Sequence, residues 1–277
     1  MTNSIYPLKK GDLENKVSLI TGGSSGIGLA TANTFLREGS SVSILALPDE
    51  RLSKTREILT KQYTEARFIA FPCDLTNENE VISAFQKTLN HFGKLNIVVN
   101  NAGISVSAAV EDTTLADFEK ILAINTTAVF IVSREAVRVF KKQDSGGVIV
   151  YVASDDAIKP SRHFIAYNAS KAAVLQISRT IAAECGKYNI RTNSVLPGAV
   201  FGGSNLWTTE MRMARAKIHG FHPDNLEEEY KKNNALGVII NPEEVADVLL
   251  YLACDRTAKM TGNCLVIDGG GLGGYVR

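Results

Sequence analysis

Tyr167 and Lys171 stand four residues apart, and on a helix that spacing sets both side chains on one face, where they can address one ligand. A phenol with an ordinary pKa near ~10 is a poor base at neutral pH, but a nearby ammonium stabilises the phenolate and brings it toward the working range of a general acid/base. Ser154 lies upstream, just past the apolar run Val148–Val152, a position from which its hydroxyl can bond the same oxygen. Together the three suit proton transfer to or from a hydroxyl or carbonyl oxygen. A Tyr-x-x-x-Lys pair alone says little, since Tyr230 beside Lys231, or Tyr63 with Arg67, shows how easily such pairs arise on solvated or packed surfaces.

A second motif points to a phosphate-bearing ligand. Thr21-Gly22-Gly23-Ser24-Ser25-Gly26-Ile27-Gly28 follows an apolar strand and opens an apolar-periodic helix, the context that a dinucleotide-binding turn requires. Gly22 permits the tight turn, Gly26 lets the backbone approach a pyrophosphate, and Gly28 lets helix pack on strand, while the helix N-terminus offers N–H groups and a positive dipole end. The end of the second strand reads Leu45-Ala46-Leu47-Pro48, with no acid to bond ribose hydroxyls. No arginine or lysine stands there or at Ser25 to pair with a 2′-phosphate. A phosphate without a cation is the costlier arrangement, so the reading leans to NAD and leaves NADP open. Asp49 either replaces the missing acid or caps the following helix.

These groups need rigid elements to hold them. Short apolar runs at Val17–Ile20, Val42–Leu47, Arg67–Phe71, Ile97–Asn100, Val148–Val152, Arg191–Val195 and Cys264–Ile267 alternate with amphipathic stretches at Ile27–Arg37, Glu50–Gln62, Glu78–His91, Leu115–Phe140, Ile165–Tyr188 and Pro242–Ala253. That alternation predicts an α/β fold of the Rossmann type: a doubly wound parallel sheet of about seven strands in a three-layer αβα sandwich. We expect one domain over 1–277. Residues 201–240 break the rhythm with Gly202, Gly203, the lone Trp207 and helical pieces around Thr208–Lys217 and Leu226–Lys232, and read as a substrate lid or a variable surface insertion.

Thirty basic and twenty-nine acidic side chains leave a net charge of +1, which excludes the basic field that gathers nucleic acid or anionic membrane. The first sixteen residues carry Lys9, Lys10, Asp12 and Glu14 without an apolar run, so we expect neither signal peptide nor membrane span. Cys73, Cys185, Cys254 and Cys264 lack metal-like spacing and read as reduced thiols in a cytoplasmic protein. His219-x-x-His222 has no third ligand at useful spacing, and no metal is expected.

With Ser154, Tyr167 and Lys171 added to the glycine turn, the chain from Lys16 to Gly270 resembles the short-chain dehydrogenase/reductase superfamily. Asn100-Asn101-Ala102-Gly103 is similar to that family's motif after the fourth strand, and Asn125 to the asparagine of its catalytic tetrad. Asp74 corresponds to the acid beside the adenine, Pro197-Gly198 to the turn facing the nicotinamide, and Asp268-Gly269-Gly270 to the closing motif. The resemblance implies hydride transfer between NAD(P) and an alcohol or carbonyl. In it Tyr167 is the acid/base, Lys171 holds the nicotinamide ribose and lowers the tyrosine pKa, Ser154 bonds the carbonyl oxygen, and Asn125 anchors a water. It implies cofactor contacts from Gly22, Ser24, Ser25, Gly26, Ile27, Gly28, Asp74, Leu75, Asn101, Ala102, Gly103, Tyr167, Lys171, Pro197, Gly198 and Val200. It also implies a homodimer or homotetramer built on the helices Leu115–Phe140 and Ile165–Tyr188. The chain departs from the family in having Phe201, Gly202 and Gly203 where a threonine is frequent, and Asp155 where small residues are common.

Ser204, Asn205, Trp207, Arg212 and Arg215 in the lid, with Asp155, Asp156, Ser161, Arg162 and His163 on the rim, form a polar neighbourhood suited to a hydroxylated ligand. Ser154, Asp155, Tyr167, Asn205 and Trp207 are the expected substrate contacts, with Asp155 as a substrate ligand or as a capping acid. From Pro197 to Gly270 the chain resembles sugar- and polyol-handling members, notably the dehydrogenase portion of rhamnulose-phosphate aldolase/lactaldehyde dehydrogenase fusions and, more distantly, sorbitol-phosphate dehydrogenases. The shared features are Gly203-Ser204-x-x-Trp207, Pro223-Asp224…Glu228…Tyr230 and Lys259-x-Thr261-Gly262-Asn263. The expected substrate is a sugar, polyol or short hydroxy-aldehyde. The competing readings are an NADPH-dependent reductase of an apolar ketone, with Leu206, Trp207, Met211, Met213 and Phe221 turned inward, and a non-catalytic cofactor-binding protein.

Overall fold

The computed structural model describes residues 11–64, 66–203 and 207–271. Seven strands form one sheet: β1 (Val17–Thr21), β2 (Ser41–Ala46), β3 (Phe68–Pro72), β4 (Ile97–Asn100), β5 (Gly147–Val152), β6 (Ile190–Pro197) and β7 (Cys264–Ile267), in the order β3-β2-β1-β4-β5-β6-β7. Every pairing is parallel, as in the register Ser18↔Val42 and Ser18↔Ile97 on the two sides of β1. Parallel strands need crossovers that cover both faces, which explains why the strands read as unbroken apolar runs.

The crossovers are α1 (Gly26–Arg37), α2 (Glu50–Thr60), α3 (Glu78–Phe92), α4 (Leu115–Leu122), α5 (Ala128–Gln143), α6 (Ile165–Cys185) and α9 (Pro242–Ala253), with α7 (Thr209–His219) and α8 (Leu226–Lys231) in the late insertion. Local signals set several ends. Asn77 caps α3 by accepting from Asn79 and Glu80 amides, and Gly93 ends it at φ 76°, as such residues do. Alternate strand residues feed two cores. Ile20, Ile44 and Val150 pack with Phe35 and Leu249 under α1 and α9, whereas Leu19, Leu45 and Tyr151 pack with Phe85, Val132, Phe140 and Leu175 under α3, α5 and α6. Each such side chain, removed from water, contributes ~1.5–3 kcal/mol.

Several boundaries differ from those the sequence suggests, most by a residue or two. The expected helix Leu115–Phe140 is interrupted by a π turn at Ala123–Thr127, where the Ala128 N–H reaches back five residues to the Ala123 carbonyl. An amphipathic period cannot register one inserted residue, so the two helices read as one. The helix expected over Ile165–Tyr188 gives way after Cys185 to a 3₁₀ turn, Gly186–Tyr188. The second strand stops at Ala46, leaving Leu47 54% exposed, because its pairing with β3 ends at Pro72. Among the described residues no helix is long and apolar enough to cross a membrane.

The strand order reverses between β1 and β4, and the crevice at the carboxyl ends of these strands is where ligands enter such sheets. The residues singled out by chemistry lie there.

Candidate active site

The glycine turn is built by β1 and β4 together. Asn101 donates from Nδ2 to the Thr21 and Gly22 carbonyls at 2.9 and 3.2 Å, and the Asn101 and Ala102 amides donate to Thr21 Oγ1 at 2.9 and 3.1 Å. Gly22 turns at φ 64°. A Cβ on Gly28 would fall 2.3 Å from the Gly22 carbonyl oxygen, and one on Gly22 would meet Ala102 Cα at 3.0 Å. Only bare backbone fits this cradle, which suits a pyrophosphate approaching a helix N-terminus. The amide of Gly26, the residue expected to let the backbone approach the pyrophosphate, donates at 3.0 Å to the carbonyl of Gly203, so the start of the 201–240 segment rests on the turn.

One cavity of about 490 Å³ runs from this turn in both directions. Toward β2 it is lined by Leu45, Ala46, Leu47, Asp74, Leu75 and Thr76, and by Arg51. The sequence reading found no cation at this end; Arg51 corrects it, because one helical turn carries its side chain back over the strand end. The guanidinium is engaged by Asp49, with Arg51 Nε 2.8 Å from the carboxylate. Asp49 also caps α2 by accepting from the Arg51 and Leu52 amides, so it serves the helix and its arginine. Ser24, Ser25, Gly26 and Ile27 line the middle with Asn101, Ala102 and Gly103; Pro197, Gly198 and Val200 line the far wall. The residues fit an extended dinucleotide.

Ser154, Tyr167 and Lys171 converge at the other end of this cavity. β5 ends just before Ser154, and α6 carries Tyr167 and Lys171 on the face turned to it. Lys171 is buried and donates from Nζ to the Val152 carbonyl at 2.9 Å, with Nζ 5.6 Å from the Tyr167 ring centre. Burial pulls its pKa down to about 8. Tyr167 is pushed up, first by burial and next by the charge of Asp156, against a hydrogen bond to Ser154 and the charge of Arg215. Burial outweighs the effects that lower this tyrosine.

Asn125 sits in the π turn, buried. Its Nδ2 donates to the Ile104 carbonyl at 2.8 Å and to Ser170 Oγ at 3.1 Å, and its Oδ1 accepts from the Ile104 amide at 2.9 Å. Both amide protons are thus used within the chain, and Oδ1 keeps one lone pair. A Cβ on Gly103 would lie 3.3 Å from Asn125 Oδ1 and 3.5 Å from Lys171 Nζ, so this glycine is what separates the two polar groups.

At the substrate end the Ser154 hydroxyl donates to Asp155 Oδ1 at 3.2 Å and accepts from the Asp156 amide at 3.2 Å. Burial, then the Asp156 charge, pushes Asp155 up to about 7. Asp156 is raised by burial too, and accepts from the Ser161 amide at 3.1 Å. Trp207 lines the cavity but gives its indole N–H to the Val200 carbonyl at 2.6 Å and stacks on Phe201 at 4.6 Å. Met211, Arg215 and Tyr230 also face inward, together with Phe164 before α6. Met213 is exposed. Ser204, Asn205 and Leu206 lie outside the described residues. The sequence does not single out Phe164, offers Tyr230 as a chance neighbour of Lys231, and places Arg215 among several polar residues of the 201–240 segment; no local pattern sets the three apart.

The strand order, the backbone cradle and the convergence of a serine, a tyrosine and a lysine define the class of enzyme to which the chain belongs, the oxidoreductases built on a Rossmann-type sheet. Residues 22–271 match the family model described as enoyl-(acyl carrier protein) reductase, and the chain belongs to the short-chain dehydrogenase/reductase family of oxidoreductases. Over 266 residues it is 38% identical to the uncharacterized oxidoreductase YuxG of Bacillus subtilis, covering 96% of this chain and 39% of that protein. The chain therefore spans about two fifths of that relative. It is 33% identical to a 3alpha-hydroxysteroid dehydrogenase of Mediterraneibacter gnavus, covering 93% of this chain and 97% of that one. The crystal structure of levodione reductase superposes with a TM-score of 0.84 at 29% identity, covering 93% of this chain and 97% of the other.

Proposed function

We propose that the chain exchanges a hydride between NAD, in preference to NADP, and the hydroxyl-bearing carbon of a sugar, polyol or short hydroxy-aldehyde. The observation that carries the reading is the single cavity joining the glycine turn to Ser154, Tyr167 and Lys171. NAD(P)(H), when bound, supplies the hydride acceptor or donor. The chain's part is to place the reacting carbon and to handle its proton. Gly22 to Gly28 and Asn101 to Gly103 would hold the pyrophosphate region, Asp74 and Leu75 the adenine, Lys171 the nicotinamide ribose, and Pro197, Gly198 and Val200 the nicotinamide side.

Tyr167 holds a proton at its phenol oxygen because burial disfavours the phenolate, so in the reducing direction it donates to the developing alkoxide. In the oxidising direction it must first release that proton toward solvent, by way of Lys171 and the water at Asn125, and the phenolate then takes the alcohol proton. Ser154 hydrogen-bonds the reacting oxygen and fixes it against the phenol, and Asn125, through its remaining lone pair, holds a water that connects Lys171 to solvent. Preference for NAD is supported by Arg51, whose charge is answered by Asp49 and so is not offered to a 2′-phosphate.

A hydroxylated substrate is supported by Asp155, Asp156 and Ser161 in the cavity lining, with the ring of Trp207 suited to the C–H face of a sugar. We read residues 201–240 as the lid of one domain, a homodimer or homotetramer as the assembly, with Phe130 of α5 49% exposed, and the cytoplasm as the setting, supported by four free cysteines. The test is a panel of polyols, sugars, hydroxy-aldehydes and apolar ketones run with both cofactors and read by nicotinamide absorbance. Higher kcat/KM for a hydroxylated compound with NAD supports the reading; apolar ketones outrunning every polyol with NADPH overturns it.

A further inference from the structure

The substrate end of the cavity holds a cation beyond Ser154, Tyr167 and Lys171. Arg215, on α7, is only 9% exposed and lines the cavity beside Asp156, Tyr167 and Tyr230. Its guanidinium carbon lies 3.9 Å from the centre of the Phe164 ring and 6.0 Å from that of Tyr230. Stacking on Phe164 fixes the plane of the donor fork. Among the described residues no carboxylate comes within 4.0 Å of its nitrogens, whereas Arg212 on the same helix pairs with Glu227 at 3.4 Å. Asp156 turns Oδ1 to the Ser161 amide instead, and the Arg215 charge reaches it only through space. Its guanidinium hydrogen-bonds the Tyr230 hydroxyl, a neutral partner that leaves the charge unanswered; a desolvated guanidinium is costly until an anion completes it, and its planar fork matches a two-oxygen anion.

We propose that Arg215 binds an oxyanion of the substrate, a carboxylate or a phosphate carried away from the reacting carbon. The substrate is then an acidic or phosphorylated member of the hydroxylated class; this deepens, and rests on, the function proposed above. Of the two neighbouring acids, both raised by burial, Asp155 is pushed up to about 7 and Asp156 is engaged by the Ser161 amide.

The test compares matched substrates, an aldose with its sugar acid and a sugar with its phosphate, on the wild type, Arg215→Met and Arg212→Met. The wild type should prefer one charged member by about 10- to 100-fold in kcat/KM. Arg215→Met should bring that ratio near one, and Arg212→Met should leave it in place. The pair that shows the preference assigns carboxylate or phosphate. Should Arg215→Met fail to fold, inorganic phosphate and malonate are tested on the wild type, where competitive inhibition beyond that of chloride at equal ionic strength supports the proposal. A preference that survives Arg215→Met overturns it. So do equal efficiencies within every pair without inhibition, and that result leaves the hydroxylated-substrate reading standing. If apolar ketones lead the panel, the reading and this proposal fall together.

Discussion

The Ser154 hydroxyl donates its proton to the Asp155 carboxyl, 3.2 Å away. A serine has one proton to give, so a substrate oxygen can receive it only when Asp155 lets go, by meeting another donor or by holding a proton of its own. Asp155 is raised from 3.8 to about 7, mainly by burial. The folded chain therefore keeps a proton that the unfolded chain releases, and stability declines as pH rises from 3.8 to about 7 and then levels. Asp155→Asn removes that decline. Its Tm advantage over the wild type should widen across that window, measured by thermal melts at stepped pH; a constant offset would show that Asp155 ionises as freely folded as unfolded.

Tyr167→Phe should lower turnover by roughly 10²- to 10⁴-fold, the scale of a lost general acid/base, with cofactor affinity retained. Lys171→Ala should reduce both, since it removes the ribose contact and the partner of the Val152 carbonyl. Single-turnover rates and calorimetric cofactor binding separate the two effects. Near-full activity in Tyr167→Phe would remove the central claim.

The Asp49–Arg51 pair makes cofactor choice adjustable in both directions. Asp49→Ser keeps a helix cap but releases the arginine, and should raise NADP use relative to NAD by about tenfold. Ala46→Asp places a carboxylate at the adenosine end and should lower the same ratio. Steady-state kinetics with both cofactors check the pair, and identical ratios in all three proteins would put the ribose elsewhere.

Gly28→Ala drives a methyl group into the Gly22 carbonyl at 2.3 Å and Asn101 Nδ2 at 2.5 Å. Overpacking against backbone costs ~1–3 kcal/mol, visible as a lower urea midpoint at unchanged slope. Dinucleotide affinity should fall with it, because the displaced atoms belong to the cradle itself.

What could be read in advance follows from how each signal is encoded. The seven strands were legible because both faces are buried, and the residues Thr21–Gly28, Ser154, Tyr167 and Lys171 because their spacing on one strand end or one helix face is local. Arg51 and Arg215 reach the cavity only through helix rotation and the packing of α2 and α7, which no local pattern reports. The Gly26–Gly203 hydrogen bond joins segments remote in sequence. Asp49 was open between two roles until the geometry showed it bonding amides and a guanidinium together.

The π turn at Ala123–Thr127 has a consequence for chain length. A π turn is an α-helix with one residue added, so the added residue can be taken out without turning the rest. Deleting Thr126 or Thr127 should close α4 and α5 into one continuous helix whose buried stripe, Val129, Val132, Ala136 and Phe140, still meets the sheet. Far-ultraviolet circular dichroism and the melting midpoint should change little, while Asn125 loses its bonds to Ile104 and activity falls. The fold and the proton path are in this respect separable by a single codon.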